Sequence, residues 1–527
     1  MFGSDIINIE YAGLKSSNKT YGHRFLAPGP FECKSADELL PTLKNAYVVT
    51  TEEQREELIR TQIKQLEQKH GLAAQLPKNI MQEVVNLCEY PTCMVGEFDS
   101  KFLDVPKEII VDAMLVHQRY FPLFSKSGAL TNKFIIVSNG NPKNEATIVD
   151  GNQRVVAARL YDAQFFFEED KKQPLESYVE KLDDVVFQEQ LGTMKAKANR
   201  IAALSGAIAK DTGLSDSEIK DAKRAGILAK ADLVTGAVVE FTQVQGVMGS
   251  YYAKASGESN VVAQAIGQHY MPRFAGDEVP QTNVGKCVAA ADKIDSICGL
   301  FAADQAPTGS SDPFALRRGA IGVISIIKSG LNFSVVNAIN FALDRLEADG
   351  IKFNRDKVYA DVVDFIITRT KVILRDSAID ADTIEAVSAV KVEEPVVFIS
   401  RCNALQDARS NDSELFLDLA TAYARANNLR DPKLNVELNT SLFQNPEKDL
   451  DEAIKNAKAS ISKFLAKDDY SSTLKCLGAL RGPIDTFFDE VMIKDKDEAK
   501  RNNRVMLLNN FVDVFTDIAD FSKMAKK

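Results

Sequence analysis

No G-x-G tripeptide occurs anywhere in the 527 residues, so the glycine turn that brings a dinucleotide's pyrophosphate against a helix N-terminus is missing. The chain also has no G-x-x-x-x-G-K-[ST] phosphate loop and no G-x-S-x-G nucleophile elbow. Histidine is scarce. His23, His70, His117 and His269 are the only four, and none stands in H-E-x-x-H or H-x-E. Seven cysteines, an odd number at irregular spacing, exclude a disulfide framework and fit a reducing, cytoplasmic setting. Cys88 and Cys93 are spaced C-x4-C with no second pair, which is too little for a zinc site. No apolar run reaches the roughly 18–20 residues of a membrane helix; the longest clear one is Ala320 to Ile327. Met1 to Tyr11 has neither the basic start nor the apolar stretch of a signal peptide. A chain this long without a nucleotide or nucleophile motif reads as a binding and scaffolding subunit rather than a self-sufficient enzyme.

What is present is ordinary in bulk: 45% hydrophobic and 26% charged, enough to build large cores. At about 150 residues per domain the length suggests three or four domains. The net charge of −10 excludes a protein that coats nucleic acid non-specifically. It leaves room for a specific RNA binder with local basic spots.

Asp5 to Leu14 reads as a strand and loop, and Tyr21-Gly-His-Arg-Phe-Leu as a compact apolar segment. Thr51 and Gln54 make a capping box before a helix over Glu52–Lys69, with Gly71 at its end and a narrow stripe of Ile59, Ile63 and Leu66. Lys107 to Val116 suits a helix; Arg119–Phe124, Lys133–Val137 and Ala146–Val149 look like strands. From about Lys181 the pattern is helical almost without break. Glu393-Glu394-Pro395 reads as a joint before a final helical domain. The expected class is multidomain and mainly α. It has a mixed α/β part over 1–175, a helical middle over 176–330, a helical linker over 331–395 and an all-helical bundle over 396–527.

Several blocks carry a resemblance. In order they are Gly22-His-Arg-Phe, Phe102-Leu-Asp-Val-Pro-Lys-Glu, His117-Gln-Arg-Tyr-Phe-Pro, Asn132-Lys-Phe-Ile-Ile-Val-Ser-Asn, Gly151-Asn-Gln-Arg-Val-Val-Ala-Ala-Arg-Leu-Tyr-Asp-Ala-Gln-Phe-Phe-Phe and Phe187-Gln-Glu-Gln-Leu-Gly-Thr. Downstream stand Glu240-Phe-Thr-Gln-Val-Gln-Gly-Val-Met-Gly, Tyr270-Met-Pro-Arg-Phe-Ala-Gly-Asp, Asp312-Pro-Phe-Ala-Leu-Arg-Arg, Pro483-Ile-Asp-Thr-Phe-Phe-Asp-Glu-Val-Met and Arg501-Asn-Asn-Arg-Val-Met-Leu-Leu. Together they resemble the beta subunit of the bacterial two-subunit glycyl-tRNA synthetase (glycine--tRNA ligase). Members of that family carry a further region upstream of the Gly-His-Arg-Phe block, so the resemblance implies a chain lacking it. It also implies a cytoplasmic alpha2-beta2 assembly whose alpha subunit uses ATP and Mg to make glycyl-adenylate. This chain would bind tRNA(Gly), with no catalytic residue, cofactor, metal, membrane or DNA of its own. The alternatives are an HD-type phosphohydrolase and a non-catalytic RNA-binding module.

The resemblance implies an HD-like middle with a degenerate metal site. Lys230-Ala231-Asp232 stands where His-Asp would be centred, and Asp292 is the candidate last ligand. Two carboxylates without histidine make a poor metal centre. Gly246 and Gly249 are either a phosphate-approaching turn or a close-packing device. Phe165-Phe-Phe is a buried edge or a stacking surface. Arg154, Arg159, Arg317 and Arg318 are phosphate contacts or ion pairs.

At the C-terminus Val505, Leu508, Phe511, Phe515 and Ile518 form an amphipathic stripe, with Phe487, Phe488 and Val491 as a partner stripe. This end resembles the anticodon-binding domain shared with arginyl-tRNA synthetase. Lys494, Lys500, Arg501 and Arg504 are the candidate phosphate contacts, although Asp495, Asp497 and Glu498 interleave with them. Arg425, Asn427 and Asn428 form a second candidate tRNA-binding cluster, in which amides could read base edges.

Overall fold

The computed structural model describes residues 1–524, and in it helices carry most of the chain. The contacts divide the chain into two compact units. One is Met1–Leu182 with Lys230–Ala263, and the other is Asp183–Ala229 with Gln264–Lys527.

The first unit holds an antiparallel sheet in the order Ala73–Ala74, Phe121–Phe124, Leu130–Ser138, Thr92–Glu97. Ile59 and Ile63, the stripe of the Glu52–His70 helix, pack with Met81, Val84, Val85, Phe121, Leu123 and Ile135 in its core. That helix begins as its sequence foretells, with the Thr51 hydroxyl accepting from Gln54 N–H, and ends on left-handed Gly71. Among the described residues Gln54 returns no side-chain bond to the Thr51 amide, so Thr51 is a single-sided cap and not the expected capping box.

Three local expectations are corrected. Ala146–Val149 lies inside the Glu145–Asp170 helix. Its β-branched residues favour strand locally, but Val156, Leu160, Ala163 and Phe167 continue a buried helical stripe that decides the segment. The Arg119–Phe124 strand starts only at Phe121, because Arg119 is left-handed (φ 58°) and donates to the Val116 and His117 carbonyls. Over Asp5 to Leu14 the pairing is confined to Glu10–Tyr11 with Leu14–Lys15 and an isolated bridge of Asp5 to Phe2. The Lys107–Val116 helix is α-helical over Lys107–Asp112 and continues as a π turn, Ala113–His117. The Gly22-His-Arg-Phe block is structural. His23 is fully buried, its Nε2 lies 3.1 Å from Asn139 Oδ1 and its Nδ1 accepts from the Phe25 and Leu26 amides. A Cβ at Gly22 would stand 2.3 Å from the Ala27 carbonyl oxygen.

In the second unit the Asn283–Ala302 helix is buried along nearly its whole length. Around it pack Met194–Asp211, Asp216–Leu228, Leu316–Lys328, Val335–Ala348 and Arg355–Asp376. The first two approach so closely at Gly226 that a Cβ there would sit 2.6 Å from Ala202 Cα. Lys293 reaches from the central helix to the carbonyls of His269, Tyr270 and Met271, at 3.4, 3.2 and 2.8 Å, which fixes the start of the Tyr270-Met-Pro-Arg block.

After Pro395 come the Pro395–Asn411, Ser413–Leu429, Asn445–Leu465, Tyr470–Gly478, Arg481–Glu490 and Glu498–Thr516 helices. Leu508, Phe511, Phe515 and Ile518 are buried as the stripe required, with Phe515 against Tyr423 and Phe521, while Val505 is half-buried. At the joint, Pro395 opens its helix. The Glu394 carboxylate accepts from the Val335 (2.9 Å) and Val336 (3.1 Å) amides and the Ser334 hydroxyl, capping the Val335–Ala348 helix. Asp520 N–H donates to the Ala386 carbonyl at 2.9 Å, and Arg409 pairs with Asp382 and Asp380 at 2.6 and 3.2 Å.

Candidate nucleic-acid interface

The two carboxylates singled out as a degenerate metal pair fall in different units, Asp232 in the first and Asp292 in the second. Each is engaged within its own unit. Asp232 is fully buried and its Oδ2 accepts from Gly246 N–H (2.6 Å) and Gly249 N–H (2.8 Å). Gly246, at φ 79°, turns the chain into the Val247–Ala255 helix, so the carboxylate is the anion resident at that helix N-terminus. The glycines at this spacing therefore serve an internal carboxylate. Burial pushes the Asp232 carboxyl up to about 6, opposed by the two amides and by Lys230.

That value fixes a sign. The folded pKa exceeds the ordinary 3.8, so the folded state holds the proton more tightly. The stabilisation is complete below pH 3.8 and is lost as pH rises through 6. Asp232→Asn is expected to abolish a fall of roughly 3 kcal/mol between those values. Hydrogen-exchange protection of the Val247–Ala255 amides in both proteins from pH 4 to 7 checks this, and parallel curves would refute it.

Asp292 meets the protein's own cation. Lys197 Nζ lies 3.1 Å from Asp292 Oδ1 and 3.0 Å from Asp295 Oδ2, and donates to Ser296 Oγ at 2.7 Å. Arg200 completes the cluster through Asp295 (2.7 Å) and Asp349 (3.1 Å). The Lys197, Arg200 and Asp295 side chains are 1–3% exposed. Charge is thus balanced by ammonium and guanidinium. Among the described residues, no group of three or more His, Cys, Asp or Glu side chains is placed to hold a metal ion.

Two of the lone arginines, Arg154 and Arg159, resolve into ion pairs. Arg154 meets Asp150 at 2.8 Å, Arg159 meets Glu240 at 3.0 Å, and Arg317 donates to the Gly309 carbonyl at 2.6 Å. Arg318 is exposed at the start of the Leu316–Lys328 helix. In the Phe165-Phe-Phe run the ends face opposite ways, with Phe165 61% exposed and Phe167 buried.

The C-terminal candidates divide into three groups. Arg504 departs from the expectation of a surface contact. Its side chain is 2% exposed, its Nε donates to Glu447 at 3.0 Å, and its Nη1 donates to Asp495 at 2.7 Å and to the Met492 carbonyl at 2.8 Å. It is a buried strut. The Asp497 amide and Arg504 hold the Asp495 carboxyl below its usual range. Lys500 and Arg501 stay at the surface of the Glu498–Thr516 helix, Arg501 3.8 Å from Glu498.

The third group comes together. Arg425, Asn428 and Lys494 line one open groove of about 450 Å³, floored by Leu429, Phe488 and Ile493. Arg425 and Asn428 share a face of the Ser413–Leu429 helix, three residues apart. Asn427 is half-buried on the same helix and does not line the groove. Arg425 lies over the Phe488 ring, 4.5 Å from its centroid, and pairs with Asp485 and Asp489. Lys494 is exposed and makes no ion pair among the described residues. Phe488, Leu429 and Asp485 were not expected at a site. A trace of it existed in the i, i+3, i+4 spacing of Asp485, Phe488 and Asp489, which sets an aromatic between two acids on one helix face.

Comparison with known proteins gives a consistent result. The sequence model of the family described as glycyl-tRNA synthetase beta subunit matches residues 1–389. A glycine--tRNA ligase beta subunit of Moorella thermoacetica is 40% identical over 529 residues, covering 99% of this chain and 76% of the relative. That of Colwellia psychrerythraea is 42% identical, covering 99% and 75%, and that of Alteromonas mediterranea is 38% identical, covering 100% and 76%.

Proposed function

The chain belongs to the glycyl-tRNA synthetase beta-subunit family, and from that premise we propose that it is the tRNA-binding subunit of an alpha2-beta2 glycine--tRNA ligase. A separate alpha subunit would use ATP and Mg to form glycyl-adenylate. This chain would carry no cofactor and would hold tRNA(Gly) so that its 3′ end meets the adenylate. The gain is one of effective concentration and orientation: a bimolecular acyl transfer becomes a reaction within one complex. A cytoplasmic setting follows from that role. On this reading the helices over 176–330 are an HD-like scaffold with inert Asp232 and Asp292, 331–395 link it onward, and 396–527 are the anticodon-binding bundle.

The observation that carries the reading, beside family membership, is the groove that unites Arg425, Asn428 and Lys494 from segments far apart in the chain. An amide, an arginine on an aromatic and an unpaired lysine suit RNA. A phosphohydrolase is disfavoured, because Asp292 already neutralises Lys197 and Asp232 already caps a helix.

The test is glycylation of tRNA(Gly) by alpha subunit and this chain, omitting each in turn. Activity is expected only with both present, and glycine-dependent pyrophosphate exchange by this chain alone would sink the assignment. Phosphate contacts add a salt signature. Substituting Lys494, Lys500 and Arg501 by alanine together is expected to flatten the slope of log affinity against log salt by about 0.7–0.9 per contact. An unchanged slope would move the phosphate contacts elsewhere on the chain.

A further inference from the structure

Asp485, Phe488 and Asp489 share one face of the Arg481–Glu490 helix. Ile484 and Phe487, on the neighbouring face, are buried in the bundle. Phe488 is half-buried, with its ring covered by the Arg425 guanidinium. All guanidinium donors lie in one plane and point outward from its edges. One of those edges is taken, Nη1 by a hydrogen bond to Asp485, and the Asp489 carboxylate stands 3.8 Å from Nη2 as a charge contact. Asp485 is itself fixed from its other oxygen by Arg481. The guanidinium charge is therefore offset by two carboxylates, and part of the fork is already engaged by Asp485. One face rests on Phe488. Arg425 also lines the groove with its side chain 40% exposed, so the face turned from Phe488 is the one available to a ligand.

We propose that this face of Arg425 is a stacking shelf for one unpaired nucleobase of the bound tRNA. The inference rests on the tRNA-binding reading of this bundle and adds what the groove takes. Bases stack on guanidinium planes as they do on aromatic rings, and the groove has the size of a small-molecule site. Leu429 and Ile493 give the base an apolar floor. Asn428, exposed at the rim, offers one amide with both donor and acceptor to the base edge. Lys494, free of a carboxylate partner among the described residues, is placed for the adjoining phosphate. A flat, charge-compensated shelf beside one free cation suits a base on a phosphate backbone better than an acidic peptide.

The complex of the full chain with its alpha subunit is titrated with tRNA(Gly) carrying 2-aminopurine at single positions of the anticodon loop. Quenching is expected at one position in the unaltered protein, retained in Lys494→Ala and lost in Arg425→Lys. The lysine variant keeps the charge, so affinity should fall about tenfold with an unchanged salt slope, whereas Lys494→Ala should flatten that slope by about 0.7–0.9. Asp489→Ala, at a carboxylate that is 74% exposed, removes one of the two compensating charges without touching the core, and should steepen the slope. Quenching that persists in Arg425→Lys removes the shelf and leaves tRNA binding by the bundle intact. A tRNA that binds with no response at any loop position overturns the underlying reading itself. Loss of alpha-subunit association in Arg425→Lys would assign the groove to protein.

Discussion

Arg504→Ala is expected to destabilise the C-terminal bundle by about 3–5 kcal/mol, because it strands the Glu447 carboxylate, 1% exposed, without its counter-charge. It also leaves the Met492 carbonyl without its donor. The loss should appear as faster hydrogen exchange across Asn445–Leu465 and Glu498–Thr516. A paired replacement, Arg504→Met with Glu447→Leu, removes both charges and keeps the volume, so it should recover most of the stability. The same substitution separates strut from phosphate contact. If Arg504 only holds the fold, tRNA affinity falls with the folded fraction while the salt slope of the folded protein stays where it was. A slope flattened by about 0.7–0.9 in a fully folded variant would return Arg504 to the phosphate.

The second large effect belongs to Asp295. This carboxylate, 1% exposed, balances both Lys197 and Arg200. Asp295→Ala leaves an ammonium with only Asp292 and a guanidinium with only Asp349, and should cost a further 3–5 kcal/mol in the second unit. Exchange of the Met194–Asp211 and Asn283–Ala302 amides is the measurement, since a chain of two units gives no single two-state transition. A change below about 1 kcal/mol would mean that the cluster is worth no more than a surface pair.

These residues also mark where sequence reading stops. The Glu52–His70 helix was legible because its signals are local: Thr51 before it, Gly71 after it and an isoleucine stripe between. The Leu508, Phe511, Phe515 and Ile518 stripe was legible for the same reason, since periodicity within one helix announces its buried face. Ala146–Val149 misled because four residues of strand preference say nothing of the helix into which they are drawn. Arg504 sits among acids and looked like a surface charge. The partner that buries it, Glu447, lies 57 residues away. Asp292 looked like a ligand without a metal until Lys197, some 95 residues earlier, was placed beside it. The groove failed to show for the same reason: Arg425 stands 60 residues from Asp485, and no local pattern joins them.

The fastening at Glu394 bears on how this part of the protein moves. A proline-led boundary ordinarily allows swing. Here the residue before the proline is tied by its side chain to the first turn of the Val335–Ala348 helix, and Asp520 is tied back at Ala386. Any rotation of the bundle that leaves that helix behind must break three hydrogen bonds at Glu394 together. The cheaper motion carries the helix along, so the junction acts as a splint, and a pull on the bundle is delivered to the helices packed around Asn283–Ala302 instead of being absorbed at the joint.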